Sequence, residues 1–343
     1  MNLGNNTSSS CYEGCPPNDL LQDLRSHVED FSLPIKQSDS RLDVFYNSSR
    51  ASFFVEENGF RVDVHAHNSA QLYQTREAVI YLLDHVWPKA SKDMTWSGDE
   101  AESLFPPNFQ IGHVLSVQRV SANFLRVAIK CKNLEQMSSG AMHFSLLLPP
   151  EGGSPIWPTM NDKKRTVWPS GENELHRAVY TFVEFDVATT SFSFDLYEHA
   201  CGRTTRWARS VLPGQIVGIM GPGGGNFPVC DDLLIAGDET ALPAIRRILE
   251  TAPAHVTGRA IIEIGDANDI SLLNHPTGVQ IDWVSRATES GLWPELSRVK
   301  HVPKNTFVWI AAERELVRKA KATFLEIGAS KEHSYFSGYW AQS

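Results

Sequence analysis

Asp232-Leu233-Leu234-Ile235-Ala236-Gly237-Asp238-Glu239-Thr240-Ala241-Leu242-Pro243-Ala244-Ile245 is the stretch that decides the fold. Its first six residues read as a short apolar strand closing on glycine, and the apolar positions then recur at helical spacing over 241–250. The rhythm repeats downstream, with strands predicted at 259–265, 279–285 and 306–311 and a helix at 313–327. Strands alternating with helices signal a parallel sheet covered by helices. Upstream the pattern is mostly strand: 113–120, 123–132, 141–148, 178–186, 191–198 and 214–220, with one helix near 204–211. Six strands joined by such loops predict an antiparallel barrel.

Farther toward the N-terminus, Asn18 is placed to cap a helix carrying Leu20, Leu21, Leu24, His27, Val28 and Phe31 on one face. Strands are expected at 41–46, 50–56 and 60–67, with Asn47-Ser48 and Glu57-Asn58-Gly59 as turn chemistry. A helix then runs to Trp87, ended by Pro88. The acidic, proline-bearing stretch 97–107 reads as a linker. The expected division is therefore a disordered tail at 1–17, a small α-β-β-β-α domain at 18–104, a barrel at 105–226 and an α/β domain at 227–343. The fold class is α+β multidomain.

The 343 residues include 42% hydrophobic and 21% charged side chains, an ordinary globular composition. No apolar run approaches the roughly 18 residues of a membrane span, so no membrane insertion is expected. The net charge of -9 argues against a nucleic-acid binder. Residues 1–104 carry 8 Lys/Arg against 16 Asp/Glu, and residues 105–343 carry 23 against 24, so the acidity belongs to the first third. Five scattered cysteines and an N-terminus without basic or apolar leader regions suggest a cytoplasmic chain. Cys11 and Cys15 read as free thiols of the tail, and His65 and His67 as exposed strand histidines lacking a third metal ligand.

The stretch 233–245 closely resembles the signature of siderophore-interacting proteins, the flavin-dependent ferric-siderophore reductases of the ferredoxin reductase-like superfamily. Tyr180-Thr181, the run 199–208 with Gly202, Thr205, Arg206, Trp207 and Ala208, the Gly221-Pro222-Gly223 turn and the terminal Gly338-Tyr339-Trp340 fall in the same order. The resemblance covers about 110–341. Residues 18–96 also resemble a small domain of unassigned function that occurs alone or ahead of such proteins.

That resemblance implies an FAD-binding barrel followed by an NAD(P)H-binding-like α/β domain. Tyr180 would pack on the flavin, Thr181 would hydrogen-bond near its N5, and Tyr339 and Trp340 would cover its other side. The family's phosphate-binding arginine stands two residues before the tyrosine, where this chain has Ala178. Arg177 substitutes only through a bulge, because a one-residue shift turns a side chain to the other face. A further arginine position is Val183. His199, Gly202, Arg203, Thr204, Thr205 and Trp207 surround a predicted helix start that would hold the pyrophosphate, with Arg203 and Arg206 supplying charge. Asp238, Thr240 and Ala241 form the turn beside the nicotinamide donor, and the carboxylates of Asp238 and Glu239 there would oppose a pyrophosphate. The donor would be NADH, NADPH or reduced ferredoxin, the last a partner protein.

In the C-terminal helix, Arg314, Arg318, Lys321 and Lys331 form a basic patch suited to an anionic ferric siderophore, or an ordinary solvated face. Lys163-Lys164-Arg165 is a second basic candidate. The function implied is reduction of ferric siderophore, releasing iron in the cytoplasm, with no protein acid, base or nucleophile required. The alternatives are a non-catalytic or flavin-free homologue, motivated by Ala178 and Val183, and a general flavin reductase.

Overall fold

A computed structural model describes residues 6–30, 33–46, 49–57, 59–98, 103–138, 141–200, 202–224, 227–286 and 291–342. The expected turn residues Asn47, Ser48 and Asn58, as well as Phe31, Cys201, Gly225 and Asn226, lie outside them. The chain forms two compact units, residues 1–109 with 149–175, and residues 110–148 with 176–343.

The first unit opens with β1 (Asn6–Glu13), α1 (Leu20–Asp30), β2 (Ile35–Ser38), β3 (Arg41–Tyr46), β4 (Ser49–Glu56) and β5 (Gly59–Ala66). It continues with α2 (Ser69–Val86), α3 (Pro88–Asp93) and β6 (Thr95–Gly98). The strands make one sheet in the order β2-β3-β4-β5-β1-β6. Alternation along β5 turns Phe60, Val62, Val64 and Ala66 into a core shared with Leu20, Leu24 and Val28 of α1 and Leu72, Val79 and Leu83 of α2.

The expected tail is corrected here: residues 6–13 are a sheet strand, paired antiparallel with β5 and β6. Its inward residues are serines, which gave no hydrophobic alternation to read. Ser8 and Ser10 are buried, and their hydroxyls donate to the carbonyls of Ser97 (2.9 Å) and Thr95 (2.8 Å). Those bonds satisfy the buried polar groups. They also place residues 97–98 in β6 rather than in the expected linker.

The barrel follows as β7 (Phe109–Arg119), β8 (Phe124–Lys130), α4 (Leu134–Ser138) and β9 (His143–Leu148). After the short β10 (Thr159–Met160) and β11 (Thr166–Val167) come β12 (His176–Asp186), β13 (Ser191–Tyr197), α5 (Arg203–Ser210) and β14 (Ile216–Gly223). Six strands close in the order β12-β13-β8-β7-β14-β9 around Phe144, Phe182, Phe192, Phe194, Val127 and Ile219. Residues 149–175, expected within the barrel domain, belong to the first unit instead. Arg165 pairs with Asp84 at 2.8 Å, the Lys163 ammonium donates to the Lys92 carbonyl, and Arg76 donates to the Lys164 carbonyl. The second basic candidate thus serves internal contacts.

The last layer comprises β15 (Asp232–Gly237), α6 (Leu242–Thr251), β16 (Thr257–Ile264), β17 (Gly278–Ser285), α7 (Leu292–Ser297), β18 (Thr306–Glu313), α8 (Arg314–Glu326) and β19 (Ser334–Trp340). All five strands are parallel, ordered β17-β16-β15-β18-β19. Helix α6 packs on one face, and α7 and α8 on the other, so both faces are buried. Gly237 is required for this packing: a Cβ there would lie 2.5 Å from the Ala311 carbonyl oxygen and 2.6 Å from the Ala241 Cβ. Barrel and sheet are joined by buried carboxylates. Asp269 accepts from Ser121 and Asn123, and Asp195 accepts from Arg126 and Arg246, beside a cavity of about 200 Å³.

Candidate functional site

Strand β12 carries the barrel's part of the site. Its ladder with β9 is regular from His176 to Thr181, so His176, Ala178 and Tyr180 share a face that Arg177 does not. The bulge lies farther on, between Phe182 and Glu184. The substitution expected of Arg177 is therefore corrected, because no bulge turns it toward Tyr180. A residue the sequence reading passed over stands on that face instead. His176 places Nε2 3.0 Å from the Thr204 hydroxyl, at the first turn of α5.

Tyr180 packs 4.7 Å from the Phe194 ring and bonds through its hydroxyl to Thr204. Burial pushes its phenol up to about 12. Helix α5 starts behind Gly202 with no side-chain cap hydrogen bond, and the free N–H groups and dipole of a helix start favour an anion. Burial and the nearby charges of Arg203 and Arg206 lower the pKa of His176, which places three basic side chains around this helix start. Thr205 instead holds the loop, accepting from the His199 peptide N–H at 3.0 Å. Trp207 packs against the barrel core.

A second group of side chains spans barrel and sheet. Thr181, buried on β12, lies 3.1 Å from His143 Nδ1, and His143 Nε2 lies 3.3 Å from the Tyr339 hydroxyl. Burial, with Arg247 nearby, lowers the imidazole to about 4, so it is neutral at physiological pH. The adjacent Trp340 indole donates to Asp238 at 2.7 Å, and Asp238 also accepts from the Thr240 peptide N–H and hydroxyl.

The acidic turn differs from its expectation. Asp238 and Glu239 are 2% and 1% exposed, so both side chains are turned into the fold rather than to solvent. Glu239 accepts from the Gly265 peptide N–H at 2.6 Å and pairs with Arg286, which also binds Glu263 at 2.9 Å. Burial outweighs these partners and raises the Glu239 pKa. Ala241 is fully buried and packs in the core between α6 and the sheet.

The basic patch is likewise corrected. Arg314 and Arg318 are exposed on α8, with Arg318 paired to Glu315 at 2.7 Å. Lys331 lies beyond the other end of that helix, before β19, whose start pairs with the start of β18. Thirteen residues of helix measure about 20 Å, so Arg314 and Lys331 are at opposite edges of the sheet. Among the described residues, no cluster of three metal-ligating side chains occurs and no helix is long and apolar enough to cross a membrane.

The residues fit the flavin nucleotide. An uncapped helix start ringed by His176, Arg203 and Arg206 suits its anionic part, and Tyr180 and Thr181 border the adjoining strand. His143 and His176 were missed for different reasons. The second was legible from its even spacing to Tyr180. The first lies 38 residues from Thr181 and meets it only through ladder register.

Comparison with known proteins agrees with this assembly. An NADPH-dependent ferric-chelate reductase of Escherichia coli (strain K12) is 26% identical over 235 residues, covering 66% of this chain and 91% of that one. An uncharacterized protein of Mycobacterium tuberculosis is 32% identical over 173 residues, 45% of this chain and 61% of its own length. The crystal structure of a siderophore utilization protein from T. fusca matches with a TM-score of 0.61 at 26% identity, covering 70% of this chain and 95% of that one. The siderophore-interacting FAD-binding domain model matches residues 113–226, and the siderophore-interacting protein model matches 230–343. Through these two regions, about two-thirds of its length, the chain belongs to the siderophore-interacting protein family.

Proposed function

We propose that the protein is an FAD-dependent reductase of ferric siderophores. The observation that carries this reading is the uncapped start of α5 with His176, Arg203 and Arg206 around it, beside Tyr180 on a closed barrel. A flavin held there would supply the redox chemistry that links a two-electron donor to one-electron ferric acceptors. Ferrous iron is held less tightly by hard oxygen chelators and leaves.

The chain's own residues bind and orient. Arg203, Arg206 and the α5 dipole neutralise the pyrophosphate, which offsets the arginine absent at Ala178. Tyr180 gives the ring system an apolar wall, while Thr181, on the other face of β12, is held against His143. Trp340, tied to Asp238, and Tyr339, tied to His143, hold the C-terminal strand against this wall. The named activity of the Escherichia coli relative supports NADPH as donor. With both acidic side chains turned inward, a dinucleotide would approach over Thr240 rather than meet a carboxylate. Arg314 is the α8 cation at the C-terminal edge of the sheet, the edge where parallel sheets bind ligands, and it is the substrate contact favoured here. The free cysteines Cys11 and Cys15 are exposed, in keeping with a reducing cytoplasm.

Spectroscopy tests the reading. Purified protein supplied with FAD should retain a flavin band after gel filtration, and the Arg203→Ala/Arg206→Ala double variant should lose it. A chain that passes the column colourless at saturating FAD would favour a flavin-free binding homologue.

A further inference from the structure

We infer that His27 of α1 and His85 of α2 form a two-histidine site for a divalent first-row transition-metal ion, with water completing the coordination. The site goes beyond the flavin reading and does not depend on it: both residues belong to the first unit, to which that reading gives no role.

Helix packing brings the pair together. Leu20, Leu24 and Val28 of α1 share one core with Leu72, Val79 and Leu83 of α2, which sets the two helices side by side. His27 and His85 stand at the margins of those buried stripes, both exposed, with ring centres 6.2 Å apart. Each ring is oriented in the same way by its own helix. Nδ1 of His27 lies 3.0 Å from the Asp23 carbonyl oxygen, and Nδ1 of His85 lies 2.8 Å from the Tyr81 carbonyl oxygen. A carbonyl can only accept, so in each neutral imidazole the one proton is on Nδ1 and Nε2 keeps its lone pair. Neither ring makes another hydrogen bond among the described residues. An Nδ1–H given to a backbone carbonyl is a common way to orient a metal-binding histidine. The Tyr81 ring, 4.3 Å from that of His85, further limits its rotation.

The spacing suits a shared ion. A metal–nitrogen bond of about 2.1 Å, extended to the ring centre, puts two imidazoles on one ion about 5 to 6.5 Å apart, from tetrahedral to linear arrangements. Imidazole nitrogen takes zinc, copper, nickel and ferrous iron, whereas magnesium and calcium take oxygen. Among the described residues no third His, Cys, Asp or Glu side chain joins the pair, so water fills the other positions and the site is open rather than closed. The surroundings favour a cation, because residues 1–104 carry 8 Lys/Arg against 16 Asp/Glu.

Titration of the full chain with Zn2+ tests the inference, in a Cys11→Ser/Cys15→Ser parent that lacks the exposed thiols. His27→Ala and His85→Ala should each weaken binding about a hundredfold, the lower end of the gain from two linked contacts, and the double variant should be no weaker than either single one. No binding by the parent, a single variant with unchanged affinity, or a double variant in which two small losses add would overturn the site. Displacement of Zn2+ by millimolar Mg2+ would mark an oxygen site and overturn it as well. With Cu2+ as the probe, electron paramagnetic resonance should show coupling to two imidazole nitrogens in the parent and to one in each single variant. Two nitrogens remaining after His27→Ala/His85→Ala would place the ion elsewhere, as at His65 and His67, and contradict the assignment. Because both side chains are exposed, the variants should unfold at the parent's temperature without metal, and only the parent should gain when Zn2+ is added.

Discussion

The two strand-to-helix turns that begin α5 and α6 look alike in outline, yet they are built for opposite purposes. Each follows a strand through a short turn, and neither helix has a side-chain cap. At α5 the surrounding side chains are His176, Arg203 and Arg206, so the helix dipole and the local charge both favour an arriving anion. At α6 the turn is filled from within: Asp238 takes Thr240 and the Trp340 indole, Glu239 takes Gly265 and Arg286, and Ala241, Leu242 and Ala244 are buried. Backbone topology alone would rank the two as equal phosphate sites. Side-chain charge and burial separate them.

The largest effect expected from breaking this comparison is a pH dependence of stability, set by the neutral wall between the two turns. The imidazole of His143 is lowered from 6.5 to about 4 by burial, so the unfolded chain binds its proton more readily than the folded one. Its contribution is complete above pH 6.5 and is lost as pH falls toward 4, amounting to about 3 kcal/mol. Urea unfolding across that range should show the slope, and His143→Leu should remove most of it.

Next in size is Arg286→Ala, which leaves the buried Glu239 carboxylate without its cation. Breaking such a pair costs about 3 kcal/mol or more, and the 44% exposure of the Arg286 side chain brings this to about 2 kcal/mol. Glu239→Gln in the same background should restore part of the loss. If urea midpoints are unchanged by Arg286→Ala, the α6 turn is not held as described here.

The smallest contrast lies at the α5 turn itself. Arg203→Ala and Arg206→Ala should each weaken FAD by about tenfold, the scale of a charge-assisted hydrogen bond, with the effect shrinking at high salt. Arg177→Ala should leave it unchanged, because that residue occupies the other face of β12. Flavin fluorescence titration reads all three, and an Arg177 effect as large as that of Arg206 would contradict the ladder register.

The same contrast explains what could be read in the sequence. Barrel and parallel sheet were legible because their strands follow hydrophobic period and run length. The β1 strand was not, since its inward positions are Ser8 and Ser10, buried by hydrogen bonding instead of by hydrophobicity. β19 was legible only as the motif residues Tyr339 and Trp340, because none of its side chains is fully buried. At the site, residues adjacent in sequence, such as Tyr180 and Thr181, were found. His143, Arg247 and Arg286 were not, because they arrive through strand register and helix packing from distant positions. Charge was the least legible property: Asp238 and Glu239 read as exposed repulsion, whereas each is neutralised or bonded inside the fold.

Stoichiometric iron reduction tests the central claim most directly. FAD-loaded protein, mixed without oxygen with limiting NADPH and excess ferric siderophore in the presence of a ferrous-trapping dye, should release two ferrous ions for each NADPH consumed. The flavin band should bleach and recover as turnover proceeds. No trapped ferrous iron while added free flavin is reduced at the expense of NADPH would contradict a siderophore reductase and assign the protein as a general flavin reductase.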